Sequence, residues 1–394
     1  STEKISRKRA AESVDLAAIA SASRVHSHSK IITIDHTQTD WKTGAGDKGK
    51  PVVFSQTLAY RQEHHQGDQS MKIKLSRSLV WLVMAASSAS YAADYPNKTI
   101  TMIVPFSAGG PTDTIARLLA QAMGANLKQQ VIVENAGGAG GTIGAARVAR
   151  SSPDGYTIFI HHVGHSTAPS LYRKLNYSSI DSFEPIGLAT DAASTLIARK
   201  DFPAKDINEL LSYLKANKEK VTLANAGIGA ASHLCGMLFM NAIGTDLTTV
   251  PYKGTGPAMN DLLGGQIDLM CDQVTNTMSH IKSGKIKAYA VTYKNPVATL
   301  PDLPPLANAG LPGFELSVWH GLYAPKGTPK EVVNRLSGAL QYALKDPLVK
   351  QRLSELSTDP VAEDRATPEA LRTHLKAEID KWGEIIKKAG VYAE

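Results

Sequence analysis

Short apolar runs alternate with amphipathic helical patterns along residues 93–394, and this alternation restricts the chain to an α/β fold. It is typical of parallel βαβ units. The apolar runs predict strands at residues 100–104, 131–134, 157–161, 195–198, 222–224, 247–250, 267–271 and 288–292. The helical patterns predict helices at residues 112–123, 144–150, 207–217, 233–243 and 257–263, and a helical tail at residues 329–344, 347–355 and 368–388.

Two α/β lobes are the natural division, because about 300 residues exceed the usual size of a single core. The first three strands end in a predicted loop at residues 164–169, and a second βαβ set begins near Thr195. We expect each lobe to hold a mainly parallel sheet flanked by helices, with the tail packing on the first lobe. Lobe 1 then comprises residues 93–193 and 316–394, and lobe 2 comprises residues 194–315.

The positive charge of the chain lies near its start. The net charge is +7, but residues 93–394 carry 30 Lys or Arg against 28 Asp or Glu. Residues 93–394 are therefore nearly neutral and contain no run of basic residues of the kind that binds a phosphate backbone. We therefore expect no nucleic-acid partner.

Residues 71–92 have the pattern of a secretory signal peptide. Three basic residues follow Met71, an apolar stretch covers residues 79–86, and a small-residue site ends at Ala92. The apolar stretch is about half the ~20 residues that a membrane span needs. We predict export to the periplasm with cleavage after Ala92, and interpret the polar, His-rich residues 1–70 as a non-native upstream extension; a genuine N-terminal extension is the alternative.

Cys235 and Cys271 are the two cysteines of the chain. An oxidising compartment permits a disulfide between them. Both lie in apolar sequence, which favours two free buried thiols, although the sequence does not fix the Cα distance that a bridge requires.

Three Gly-rich loops follow predicted strands and precede predicted helices. The first, residues 104–113, joins a strand end to a helix start and contains no Lys or Arg, so an anion would be held by backbone N–H groups and by the hydroxyls of Ser107 and Thr112. Capping of the helix by Thr112 or Asp113 is the alternative. The third, residues 225–233, mirrors the first in lobe 2, as a ligand clamped between two lobes requires. There Ser232 could cap its helix or donate to the ligand.

The second loop, residues 135–144, has a near-match to a dinucleotide fingerprint. The next strand ends in His161 and His162 and supplies no acid for a ribose, so we interpret the loop as a tight turn that lets helix and strand approach closely. No G-x-S-x-G motif pairs a nucleophile with a base, and His161, His162 and His165 lack metal-ligand spacing. We expect no enzyme activity, no cofactor and no metal.

Several motifs occur in an order that resembles one protein family. They are Tyr95-Pro96, the first loop, Val133-Glu134-Asn135 with the Gly cluster, and the segments 152–156, 227–233, 250–254, 261–268, 311–314 and 324–329. Over about residues 95–390 the chain resembles the extracytoplasmic solute-binding receptors of tripartite tricarboxylate transporters, often called Bug proteins.

The resemblance implies a two-lobed periplasmic binding protein (Venus-flytrap) fold that closes on a small organic acid and delivers it to the subunits of a membrane permease. It implies a monomer in which both outer Gly loops bind the ligand carboxylate, and it places Asp272 at the cleft. The matching ligand-binding positions are Phe106, Ser107, Ala108, Gly109, Gly110, Asp113, Ala226, Gly227, Ala231, Ser232 and Asp272.

The chain departs from the family pattern at three places. Asn225-Ala226 replaces a more usual Ser-containing pair, Cys271 stands where Phe is common, and the loop from His161 to His165 often reads Gly-Thr. Two alternatives use the same cleft: a ligand sensor that feeds a signalling partner, and an enzyme on the same scaffold.

Overall fold

The computed structural model describes residues 95–393. The predicted extension at residues 1–70 and the predicted signal peptide at residues 71–92 lie outside the described residues and stay predictions. The strands are β1 Ile100–Val104, β2 Val131–Asn135, β3 Thr157–His162, β4 Phe183–Arg199, β5 Thr222–Asn225, β6 Thr248–Pro251, β7 Leu269–Gln273, β8 Ile286–Val291, β9 Ser317–Pro325 and β10 Thr358–Pro360. The helices are α1 Pro111–Leu127, α2 Thr142–Ala149, α3 Gly164–Leu171, α4 Ile207–Asn217, α5 Ala231–Ile243, α6 Thr255–Leu263, α7 Val274–Lys282, α8 Lys330–Lys345, α9 Pro347–Glu355 and α10 Pro368–Ala389.

These strands form a mixed sheet in the order β2-β1-β3-β9-β4-β7-β5-β6, with β8 and β10 also paired to β4. In lobe 1, β1 lies parallel to β2 and β3. In lobe 2, β5 lies parallel to β6 and β7. The predicted βαβ units are therefore present in both lobes, and antiparallel pairing of β9 and β4 joins them into a mixed rather than a purely parallel sheet.

Strand β4 is much longer than predicted and belongs to both lobes. The sequence predicted only residues 195–198, whereas β4 spans 17 residues. Its first part pairs with β9 as far as Ala193, and from Ser194 it pairs with β7. The change of partner from β9 to β7 falls between Ala193 and Ser194, where the sequence analysis placed a lobe boundary. The lobe boundaries themselves stay a prediction.

Helix α3 corrects a second expectation, because residues 164–169 were predicted as a loop. The helix has eight residues and contains Pro169, which cannot donate a backbone hydrogen bond. A helix this short is marginal on its own and depends on tertiary packing. That packing is supplied by α10, which lies against α3 and β4.

The helical tail packs on lobe 1. Helix α8 lies against α1 and β4. The indole Nε1 atoms of Trp319 and Trp382 both donate to Oε2 of Glu378, at 3.1 and 3.0 Å, so β9 is tied to α10 by a shared carboxylate. Within residues 95–393, none of the helices combines the length and the apolar content that crossing a membrane requires.

Cys235 and Cys271 form a disulfide, so the expectation of two free thiols is wrong. Both residues are fully buried, and their Cα atoms are 5.9 Å apart. The bond joins α5 to β7, which pack against each other although 36 residues separate the two cysteines. The packing of α5 against β7 sets the distance between the two Cα atoms, and the apolar sequence around each cysteine does not predict it.

Candidate ligand-binding site

The loop between β1 and α1 ends in a helix start that no side chain caps. Gly110 is the N-cap residue, and Pro111 begins the helix. Of the two residues considered as caps, Thr112 instead directs its hydroxyl to Nε2 of His320 at 3.2 Å. An uncapped N-terminus keeps free N–H groups and a positive dipole end, which together favour an anion.

Asp113 shapes this loop from inside the protein. Its carboxylate is nearly buried and accepts hydrogen bonds from the Arg117 guanidinium, from Nδ2 of Asn135 at 2.9 Å and from the Gly109 N–H at 3.1 Å. Burial by itself would raise the pKa of Asp113, but these hydrogen bonds outweigh it and hold the pKa below its ordinary value. Both carboxylate oxygens therefore have partners within the loop and its neighbours.

In the corresponding loop of lobe 2, between β5 and α5, side chains of the loop also accept hydrogen bonds from its backbone. Ser232 Oγ accepts the Ala226 N–H at 2.8 Å, and Asn225 Oδ1 accepts the Gly227 N–H at 2.9 Å. Helix α5 follows Ala230 and has no side-chain cap. Ser232 thus fixes the loop instead of capping the helix, and the helix N-terminus stays uncapped as in the first loop.

A third uncapped helix start, which the sequence analysis missed as a site, lies between β6 and α6. Gly254 is its N-cap residue, without a side-chain cap. It lies close to the start of α1, because a Cβ atom on Gly110 would lie 3.3 Å from Thr255 Oγ1 and 3.6 Å from the Gly256 backbone nitrogen. The signal was present in the sequence: Gly254-Thr255-Gly256-Pro257 repeats the Gly-then-Pro helix start of Gly109-Gly110-Pro111.

Three helices away from this point begin with a side-chain cap. Asp206, Asp346 and Thr367 cap α4, α9 and α10 through their side chains. Helix α8, which follows Pro329, also lacks a side-chain cap, so a missing cap does not by itself mark a site. The distinguishing feature is that uncapped ends from both lobes meet.

The two lobes touch through backbone carbonyls of lobe 2. The N–H and hydroxyl of Ser107 both donate to the Lys253 carbonyl, the N–H at 2.9 Å. Tyr172 Oη donates to the Ile228 carbonyl at 2.7 Å, and Thr167 Oγ1 donates to the Gly229 carbonyl at 3.2 Å. The structure therefore represents a closed arrangement of the two lobes.

The Gly-rich loop of residues 135–144 has two packing roles. A Cβ atom on Gly144 would lie 3.0 Å from Pro105 Cα, so α2 does approach the end of β1 closely. In addition, a Cβ atom on Gly140 would overlap the Ile228 carbonyl of lobe 2. Close backbone approach is needed both within lobe 1 and between the lobes.

Asp272 is a buried carboxylate at the end of β7, beside the start of α6. It accepts the Gln273 N–H at 2.8 Å and Nδ2 of Asn276 at 2.6 Å. Burial raises its pKa to about 6, although hydrogen bonds from Asn276, Gln273 and Thr255 oppose that rise. Among the described residues it has no salt-bridge partner.

Aromatic rings surround the inner end of the first loop. Phe106 stacks on His162 with ring centroids 4.7 Å apart and contacts His161 edge-on at 5.6 Å. Phe106 belongs to the same hydrophobic cluster as Ala226 and Ala230 of lobe 2. The apolar contact between the lobes thus lies directly behind the two polar loops.

A cavity of about 600 Å³ opens beside these contacts and is lined by both lobes. Of the predicted site residues, Ser107 and Gly227 line this cavity. Ala108 and Gly109 are exposed in the first loop, while Gly110, Ala226, Ala231 and Ser232 are buried at the contact. The other residues lining the cavity are Ala139, Tyr172, Ile228, Pro251, Tyr252, Lys253, Pro257 and Ala393.

A family model described as the tripartite tricarboxylate transporter family receptor matches residues 115–391. The chain belongs to this family. The match covers most of the described part of the chain, so the resemblance seen in the motifs is confirmed. The family is one of solute-binding receptors, not of enzymes.

Individual members of the receptor family support the same conclusion. A UPF0065 protein in the TAR-I ttuE-ttuC' intergenic region of Agrobacterium vitis is 49% identical over 312 residues, which cover 79% of this chain and 88% of that protein. The solved structure of the periplasmic binding protein BugD is 55% identical, covers 76% of this chain and 100% of that one, and gives a TM-score of 0.75. MatC from Rhodopseudomonas palustris with bound malate is 40% identical, covers 74% of this chain and 100% of that one, and gives a TM-score of 0.72. The two-lobed α/β fold of a periplasmic binding protein is thereby confirmed.

Proposed function

We propose that this chain is a periplasmic receptor that captures a small carboxylate-containing metabolite between its two lobes and delivers it to a tripartite tricarboxylate-type membrane transporter. The observation that carries the proposal is the meeting of uncapped helix N-termini from both lobes, α1 from lobe 1 and α6 from lobe 2. Two positive dipole ends in close approach favour an anion beside them. The malate bound to the related MatC is such an anion.

Binding then depends on backbone groups more than on charged side chains. The free N–H groups at the start of α1 contact the ligand carboxylate, and the N-terminus of α6 completes the site when the lobes close. The hydroxyl of Ser107 donates its single proton to the Lys253 carbonyl across the contact between the lobes. Asp113 and Ser232 act as positioning residues, because their side chains hold the two loops in shape.

Closure follows from differential contact. A carboxylate held by lobe 1 alone gains the contacts of α6 only in the closed form, so the ligand shifts the population toward that form. The inter-lobe hydrogen bonds of Ser107, Tyr172 and Thr167 then hold the closed receptor together. The closed form is the one that we propose the permease recognises.

A charge swap at the helix start tests the proposal. Replacing Gly110 by Asp places a carboxylate at the N-cap of α1, where Asp is a preferred residue. Its backbone there is extended, a conformation that any residue adopts, and its Cβ would lie 3.3 Å from Thr255 Oγ1 in the closed arrangement. We expect the variant to keep or gain thermal stability while it loses binding of organic acids, because its own carboxylate occupies the anion position. Gly338→Asp on the exposed face of α8 is the matched control, since it adds the same charge where a Cβ meets nothing within 4 Å.

The assay is a thermal-shift screen against malate, succinate, citrate, glutarate and adipate. A ligand at 100 times its Kd stabilises the folded state by about 2.7 kcal/mol. The proposal fails if none of the acids raises the melting temperature, if one is chemically converted, or if Gly110→Asp binds as tightly as the Gly338→Asp control. Export is tested separately by N-terminal sequencing of the periplasmic protein, which should begin at or near Ala93.

A further inference from the structure

A buried histidine on β9 bridges the start of α1 to strand β4. His320 is fully buried, its Nε2 lies 3.2 Å from Thr112 Oγ1, and its Nδ1 lies 3.2 Å from Thr190 Oγ1. Burial lowers the pKa of His320 to about 3, so the ring is neutral at ordinary pH. A neutral imidazole has one N–H donor and one acceptor nitrogen, and a hydroxyl can take either role. Both ring nitrogens therefore have a partner.

Thr112 connects this histidine to the proposed anion site. It is the second residue of α1, the helix that begins without a side-chain cap. Its hydroxyl is buried, and His320 is its only side-chain hydrogen-bond partner within residues 95–393. A second polar anchor of the same helix start is Asp113, which Asn135 joins to the end of β2. The helix start is thus held from two sides, towards β9 and towards β2.

Thr190 fixes the direction of the imidazole ring. It is fully buried and lies opposite His320 in the pairing of β4 with β9, directly after a shift in register between Leu188 and Thr190. Further along the same strand, from Ser194, β4 pairs with β7 of lobe 2. His320 therefore ties the start of α1 to β9 and to the strand that continues into lobe 2.

We infer that His320 is a positioning residue of the ligand-binding site, which holds Thr112 and the free N–H groups at the start of α1 in the direction that the anion requires. This inference rests on the proposed function, in which those N–H groups bind the carboxylate. The dipole end of a helix acts within its first turn, and hydrogen bonds weaken steeply when their angles change. A helix start that tilts or frays therefore binds the anion less tightly, although His320 itself does not touch the ligand.

Two substitutions of His320 separate its two contacts. The side-chain amide of Gln reaches about as far as Nε2 of a histidine, whereas the amide of Asn reaches only about as far as Nδ1. His320→Gln can keep the hydrogen bond to Thr112, and His320→Asn can keep only the one to Thr190. Calorimetry with malate, succinate, citrate, glutarate and adipate should show about tenfold weaker binding by His320→Asn and a change of less than about threefold in His320→Gln.

A double-mutant cycle separates positioning from a general loss of stability. Thr112→Val removes the hydroxyl and keeps the shape of the side chain, so it should weaken binding about as much as His320→Asn. The double variant should bind no more weakly than either single variant, because both changes remove the same contact. Losses of affinity that multiply in the double variant would overturn the inference. If His320→Asn fails to fold, Thr112→Val carries the same test.

His165→Asn is the matched control for the substitution of a buried imidazole. His165 is fully buried in the same aromatic cluster, but its Nε2 lies 3.2 Å from the Ser179 carbonyl, so its loss leaves the contact between His320 and Thr112 in place. We expect this variant to bind as tightly as the unmodified protein. A loss of affinity equal to that of His320→Asn would show that disruption of the cluster, and not the contact to Thr112, weakens binding.

Hydrogen exchange tests the positioning without any ligand. The first hydrogen bond of α1 runs from the Thr114 N–H to the Gly110 carbonyl at 3.1 Å. Amide exchange at residues 114–117 should become about tenfold faster in His320→Asn and Thr112→Val and stay unchanged in His320→Gln. Unchanged exchange in the first two variants refutes the inference. If none of the five acids binds the unmodified protein, the proposed function fails and exchange alone decides whether His320 holds the helix start, whereas undiminished affinity in folded His320→Asn refutes only the positioning role.

Discussion

Replacing Cys235 and Cys271 together by Ala tests how much of the stability of lobe 2 comes from one covalent bond. The two residues lie 36 apart in the sequence. In the chain-entropy description, closing a loop of that length removes about 13 cal/mol/K from the unfolded chain, or about 3.8 kcal/mol at 25 °C. Native proteins are stable by only about 5–15 kcal/mol, so the bond accounts for a large share of that margin.

Equilibrium unfolding in guanidinium chloride measures the loss. The double variant should unfold at lower denaturant concentration, with a free energy of unfolding about 3.8 kcal/mol below that of the unmodified protein. Dithiothreitol should lower the stability of the unmodified protein by a similar amount and leave the variant unchanged, because the variant has no bond to reduce.

A thiol titration provides the sharpest refutation. The unmodified protein, unfolded without reductant, should release no free thiol. Two free thiols would show that the bond between α5 and β7 does not form in the exported protein. A variant that loses less than about 1 kcal/mol would show that the unfolded-state entropy argument does not apply to this loop.

Two further predictions follow from burial and from backbone contact. Burial lowers the pKa of His165 and of His320 to about 3, so the stability that these neutral rings contribute is complete above pH 6.5 and falls as the pH drops toward 3, by about 1.4 kcal/mol per pH unit for each ring. The pKa of Asp272 is raised to about 6, so its protonation stabilises the folded state between about pH 6 and pH 4 and offsets the loss from one of the two histidines. Urea unfolding should therefore show that the free energy of unfolding falls by at least about 1.4 kcal/mol between pH 5.5 and 4.5. An unchanged free energy of unfolding over that range would contradict the lowered pKa values of His165 and His320. Gly140→Ala places a methyl group against the Ile228 carbonyl, so small-angle scattering should show a protein that stays extended at ligand concentrations that compact the unmodified chain; normal compaction would mean that the lobes do not close as described here.

The parts of the fold that could be predicted from the sequence are those that local patterns specify. Strand β1 begins and ends where its apolar run does, and the Gly loops at residues 104–113 and 225–233 lie at strand-to-helix turns as predicted. Both loops lie at the contact between the lobes. A strand flanked by turn residues and a Gly-rich helix start are visible within about ten residues, which is why these elements could be placed.

Features that depend on distant partners could not be placed. Only residues 195–198 of β4 were predicted as a strand, because Pro185 and Gly187 interrupt its buried run and its partners β9 and β7 lie far along the chain. Helix α3 contains Pro169 and is held by α10. The hydrogen bonding of Asp113 depends on Asn135, 22 residues away, and could not be predicted from local sequence. The ligand contact that the resemblance implies for Asp113 stays a prediction.

In the proposed site, the helix starts of α1 and α6 make the receptor respond to charge before it responds to shape. Two positive helix ends in close approach repel each other, and the carboxylate of Asp272 beside the start of α6 reduces that repulsion. In the proposed mechanism, an anion bound beside both ends is attracted to each of them, so the backbone couples ligand occupancy to closure. Side chains at the far end of the cleft are then free to change what is recognised without disturbing how the molecule closes. Related receptors with this arrangement can bind different ligands while the lobes close by the same mechanism.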